Sequence, residues 1–285
     1  MPYPTIDAPY GLKPINLIGG QVFAGSTRMY PIQYGYATNI YYGDFVSLTR
    51  GNVVRQAVTT TATNTFGIFL GCSFTNPVTK QKQFSQYWPS GTLAGDAVAY
   101  VCDDPDAVYK VAVCSATTVI GSANSAMVGQ NMAVVNNVDL AGQANTGNSL
   151  IAALAVVAAG APATTSTLPL RVMDVVRDTS VSVAATGSST ATTITLTGTG
   201  LPSAVLAGSE VGYLAANGQY IHTGSFLTTN YAAGTTSLAI NLAIAVPGGV
   251  TAIPAASTII FTQYPEVLVK VNFASHAYYA ATAVA

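Results

Sequence analysis

Catalysis needs titratable side chains brought together, and this chain of 285 residues has few to bring. Its histidines are His222 and His276, and its glutamates are Glu210 and Glu266. Neither histidine stands in an HExxH pattern, and no cysteine and histidine share zinc spacing. No Walker loop, dinucleotide fingerprint or G-x-S-x-G elbow occurs. Asp103, Asp104 and Asp106 crowd around Pro105, which lacks the spread of oxygen ligands of a calcium loop and reads better as a turn. Cys72, Cys102 and Cys114 have neither paired zinc spacing nor disulfide density and read as buried thiols of a chain made in a reducing cytoplasm. His222 is expected to face solvent or a strand neighbour, and His276, close to the C-terminus, could report protonation at a contact. Glycoside hydrolysis generally needs two separated carboxylates, yet between Asp178 and Glu266 the one charged side chain is Glu210. The expectation is a protein that is not an enzyme, with no cofactor and no metal.

Composition bounds the partners. Half the residues are hydrophobic and 7% are charged, against about 25% in ordinary soluble proteins. A surface kept wet by Thr, Ser, Asn and Gln does little to repel a neighbour and costs little to desolvate, which suits a chain packed against others. Ten basic against eleven acidic residues, with no basic run, offer no footprint for nucleic acid. The start MPYPTIDAPYGLKP lacks a basic head followed by an apolar core, so no secretory leader is expected. The longest strongly apolar run, LIAALAVVAA from Leu150 to Ala159, is about half the roughly 20 residues of a membrane helix and reads as a buried strand or short helix.

The elements that must position these residues are strands. AVAYVCDDPDAVYKVAV, Ala97 to Val113, alternates on both arms about Asp103-Asp104-Pro105-Asp106 and predicts a β-hairpin around which the sheet is built. Before it, Met29 to Gln33, Asn39 to Leu48, Asn52 to Val58 and Thr65 to Thr75 are short alternating runs separated by Tyr34-Gly35, Arg50-Gly51-Asn52 and Asn76-Pro77. Residues 1–20, with four prolines and Gly19-Gly20, predict an extended arm laid along something else, the kind that lashes a subunit to its neighbour. Residues 115–149 predict loops and short strands. Five strands are predicted in the uncharged block: Thr192 to Thr197, Glu210 to Leu214, Tyr220 to Phe226, Ser237 to Leu242 and Ser257 to Thr262, with turns at Asn217-Gly218, Gly234 and Gly248-Gly249. The flanks, LPLRVMDVVRD (Leu168 to Asp178) and YPEVLVKVN (Tyr264 to Asn272), carry charge and are expected to pair. That makes 179–263 an inserted β-sandwich-like unit in a discontinuous β core of 21–178 plus 264–285. The fold class is all-β.

PYGLKPINLIGGQVFAG, QYWP, AVAYVCDDPDAVYKVAV, LPLRVMDVVRD and YPEVLVKVN followed by His276 resemble the head decoration, or cement, proteins of tailed bacteriophages. The resemblance covers most of 8–178 and 264–278. It implies a β-barrel or β-tulip-like core and a structural virion subunit that binds the outside of an assembled capsid, with the major capsid protein and copies of itself, often as a trimer, for partners. On that reading Arg28, Arg50 and Arg55 would orient the subunit on an acidic shell, and Tyr87 and Trp88 would anchor the contact, although a core aromatic is the plainer reading of Trp88. The alternative function is adhesion: the Thr- and Asn-rich insert, with Tyr213, Tyr220 and Tyr231 taken as exposed, holding a host glycan. Neither nucleic acid nor membrane is expected as a partner.

Overall fold

The computed structural model describes residues 9–56, 65–116, 119–135, 143–154, 168–190, 192–240, 252–272 and 275–279. It is nearly all β. Strands β1 (Lys13–Leu17), β2 (Arg28–Pro31), β3 (Phe45–Thr49), β4 (Asn52–Arg55), β5 (Gly67–Thr75), β6 (Lys82–Ser85) and β7 (Val98–Cys102) come first. Next are β8 (Ala107–Ala116), β9 (Val119–Ile120), β10 (Asn131–Val134), β11 (Ala153–Leu154) and β12 (Leu170–Val175). The remainder are β13 (Val181–Ser189), β14 (Thr193–Leu196), β15 (Glu210–Leu214), β16 (Tyr220–Phe226), β17 (Ser237–Ala239), β18 (Ser257–Gln263) and β19 (Glu266–Val271).

Among the described residues three sheets form, and each curls until its ends meet. In the N-terminal sheet, β2-β7-β5-β3-β4 with β6 beside β5, a parallel bridge between Ile32 and Val53 joins the outer strands. In the central sheet, β8 pairs with β11 through Val113 and Cys114 and with β19 from Val108 to Ala112, so the path β8-β11-β10-β12-β19 returns to its start. In the inserted sheet, β16-β15-β18-β13-β14-β17, an antiparallel bridge between Leu227 and Ile240 brings the two edges together. The expected sandwich is thus a single curled sheet, closed over Ile194, Val211, Leu238, Ile259 and Phe261. Curling of this kind removes exposed strand edges.

The predicted hairpin at 97–113 does not form. β7 pairs with β2 and β5, whereas β8 pairs with β1, β9, β11 and β19. Asp103 to Asp106 is an arch that carries the chain from one sheet to the other. The reason lies in the arms: Ala107, Tyr109, Val111 and Val113 face the central cluster, and Val108, Ala112 and Cys114 between them are also buried. A strand covered on both faces belongs inside a fold with partners on both edges, and except for β9 those partners are distant in sequence.

The arm is corrected too. Within its described part, β1 pairs with β8 of the same chain, and Leu17 N–H donates to the Gln21 carbonyl in a tight reversal. The flanks of the uncharged block do pair, Leu170 opposite Val271 through Val175 opposite Val267. β13 went unpredicted because VSVAATGSS is mostly small residues, yet it joins β18 to β14 at the centre of its sheet. A bulge at Leu70 in β5 resets the side-chain parity, so that Phe69, Cys72 and Phe74 all enter the N-terminal core, while Ile68 enters the central one. Through Leu12, Phe45, Ile68 and Cys102 the N-terminal and central sheets share one cluster.

Candidate interaction site

The arch gathers groups from three distant segments. Asp103, buried, accepts from the Tyr278 hydroxyl at 2.6 Å and the Tyr30 hydroxyl at 3.1 Å, and pairs with Arg28 at 3.3 Å. Asp104 caps its own turn by accepting from the Asp106 N–H at 2.8 Å, and Asp106 pairs with Lys270 at 2.7 Å. Each acid of the trio is thereby committed, and no group of three or more His, Cys, Asp or Glu among the described residues could hold a metal ion. Tyr30 and Tyr278 each meet Phe66 edge to face. Around the arch, Ile18, Val22, Tyr278 and Tyr279 are large and exposed, and the Ile18 N–H donates to the Asp106 carbonyl.

His276 belongs to this cluster. It is buried, its Nδ1 accepts from the Tyr278 N–H, and burial lowers its pKa below 6.5, with Asp103, Asp104 and Asp106 opposing the shift and Lys270 adding to it. Burial, reinforced by Asp103, raises the Tyr278 phenol.

The candidate anchors separate on inspection. Arg28 is 65% exposed at its side chain and stays on the arch. Arg50 is exposed at the tip of the β3–β4 turn, in the left-handed region at φ 50°. Arg55 is not available to a partner: its side chain is 8% exposed and pairs with fully buried Asp44 at 3.1 Å, which also accepts from Ser149 and the Tyr41 N–H. Trp88 is fully buried, donating from Nε1 to the Tyr36 carbonyl and meeting Phe74 edge to face, so it is a core residue. Tyr87 is half-buried and stacked on Tyr41. A lone tryptophan flanked by aromatics has no local signal that separates these roles.

The insert's one carboxylate also has work to do. Glu210, buried at the start of β15, accepts from the Ser125 backbone N–H, from the Tyr264 hydroxyl at 3.3 Å and pairs with His222 at 3.0 Å. Ser125 and Tyr264 belong to the core segments, so this carboxylate sits on the seam where insert meets core. Burial, then Glu210, pushes the Tyr264 phenol up to about 12. The rings expected to be exposed on the insert are mostly not: Tyr213 is buried, Tyr231 is half-buried and accepts from the Ala239 N–H, and Tyr220 alone of the three is exposed. The cysteines are free and buried, and burial pushes the Cys72 thiol up to about 12 and Cys114 up to about 11, so neither is a thiolate near neutrality. No helix among the described residues is long and apolar enough to cross a membrane.

No protein-family model, curated protein or solved structure matches this chain.

Proposed function

We propose that the chain is a non-enzymatic structural protein of a tailed-phage virion, binding the outer surface of an assembled capsid and reinforcing it, with the major capsid protein and further copies of itself, as a trimer, for partners. The resemblance of the quoted segments to head decoration proteins motivates this, and the β-barrel or β-tulip-like core belongs to the same proposal. The observation that carries it is the arch face. Tyr278 stands exposed with its hydroxyl 3.2 Å from Arg28, and Ile18, Val22 and Tyr279 are exposed on the segments that reach the arch, on a chain with little charge to keep neighbours away. Apolar side chains gathered at one place mark contact surfaces.

In this reading the protein is made in the host cytoplasm and ends on the capsid exterior. Arg28 and Arg50 remain the orienting charges; Arg55 and Trp88 leave the contact set. The test is rebinding: purified protein is added to decoration-stripped particles and imaged. Density at defined surface positions, weakened by salt and by the Arg28→Ala/Arg50→Ala double variant, is the expected result. Protein that stays unbound and monomeric at every salt concentration would end the proposal.

A further inference from the structure

The outer wall of the N-terminal sheet carries side chains that a solvated sheet face ordinarily lacks. Register sets Met29 opposite Tyr100, Tyr100 opposite Gly71, and Phe84 opposite Ser73, while Ala99, Val101, Cys72 and Phe74 between them turn inward. Met29 is 68% and Phe84 75% exposed. Where this wall meets β1 and Asn148, just after the short helix Gln143–Thr146, there is a groove of about 590 Å³, inside the ordinary range for ligand sites. Lys13, Tyr42, Gly71, Phe84, Gln86 and Asn148 line it.

Two features look built. Gly71 lines it beside the β5 bulge at φ 138°, where a Cβ would stand 3.1 Å from the Ser85 carbonyl oxygen. At one end Gln86 donates from Nε2 to Asn148 Oδ1 at 2.9 Å, and the backbone of Tyr42 and Asn148 is bridged beneath them. That pairing uses one donor and one acceptor, leaving the Gln86 carbonyl oxygen and the Asn148 amino group to a ligand. The exposed Phe84 ring, the half-buried Tyr42 ring, two side-chain amides and one ammonium group suit a molecule with apolar C–H faces, hydroxyls and negative charge. An apolar ligand would gain little in so open a groove, whereas a sugar keeps its outer edge in water. An extended peptide pairing along the outer edge of β6 is the competing occupant, and the test includes it.

We propose that the groove binds an acidic oligosaccharide, with Phe84 and Tyr42 stacking on sugar rings, Gln86 and Asn148 bonding to hydroxyls, and Lys13 facing the carboxylate. The inference does not rest on the capsid reading, since it concerns the isolated full chain. The experiment is calorimetric titration with an oligogalacturonate hexamer, a neutral cellohexaose and an unrelated extended peptide. The expected result is saturable binding of the acidic hexamer. That binding should weaken about tenfold or more in Phe84→Ala and in Gln86→Ala, with melting temperature unchanged because these two side chains are exposed. It should weaken severalfold in Lys13→Gln, whose half-buried ammonium also lies over the Tyr10 ring. Failure of the acidic hexamer to bind overturns the proposal. So do binding unaffected by Phe84→Ala and Gln86→Ala, equal binding of the neutral sugar, and competition by the peptide.

Discussion

The inserted sheet and the core it interrupts are both curled β-sheets with apolar interiors, yet they handle charge in opposite ways. The core segments spend ion pairs where elements meet: Asp44 with Arg55, Asp106 with Lys270, Lys110 with Glu266, Arg28 with Asp103. The inserted sheet closes over its hydrophobic cluster with hydroxyls outside, and its one carboxylate, Glu210, is placed on the seam. The difference teaches that curling and closing a sheet require side-chain alternation and burial, not charge. Charge in the core segments ties element to element, and in the insert it stands on the seam.

That comparison can be broken first at Asp44. Asp44→Ala leaves the Arg55 guanidinium buried without its carboxylate, and urea unfolding should show a loss of about 3–5 kcal/mol. A loss no greater than the about 0–1 kcal/mol typical of surface ion pairs would remove charge as a fastener of the core. Next come matched cavities. Phe261→Ala empties the inserted cluster and Phe45→Ala the one shared by the other two sheets, each at about 3–5 kcal/mol. Calorimetry should show Phe261→Ala splitting off an early transition and Phe45→Ala lowering the main one. One common transition in both variants would mean that the regions do not differ in the way described.

A smaller effect is expected at the seam. Glu210→Gln replaces a charged acceptor of three groups by a neutral amide and should cost about 1–3 kcal/mol, seen as faster hydrogen exchange of the Ser125 amide while β13 amides keep their protection. The smallest is a pH effect at the arch. His276 is held below 6.5 by burial, so at acidic pH the unfolded chain binds more protons than the folded one. Its contribution is complete above about pH 6.5 and declines as pH falls below that value. The melting temperature should drop between about pH 7 and pH 5, and drop less in His276→Gln. A drop of the same size in the variant assigns the acid sensitivity elsewhere.

Much of this was legible along the chain. β15 and β16 are Glu210–Leu214 and Tyr220–Phe226 as read from alternation, and Asn217-Gly218 forms the turn between them, with Gly218 at φ 80°. The pairing of the two charged flanks could be inferred because both stop where the uncharged block begins. The arch could not. Asp103-Asp104-Pro105-Asp106 has the same local chemistry whether the strands beside it pair with each other or with strands elsewhere, and Pro105 presets a turn either way. Nor could the roles of Trp88 and Arg55 be read, because burial depends on what packs from far along the chain: Ile40 and Phe74 in one case, Asp44 and Ser149 in the other. The groove depends on a bulge, and an extra residue in a strand leaves no mark in a short apolar run.

Composition and period-two spacing by themselves determined an all-β chain with little charge, because alternation is a property of each strand alone. Tertiary structure decided which strands meet, which of the few charges are buried at seams, and where rings and amides share a surface. Those outcomes follow from contacts between residues tens to hundreds of positions apart, such as Tyr30 and Tyr278 on Asp103, and no local pattern encodes them.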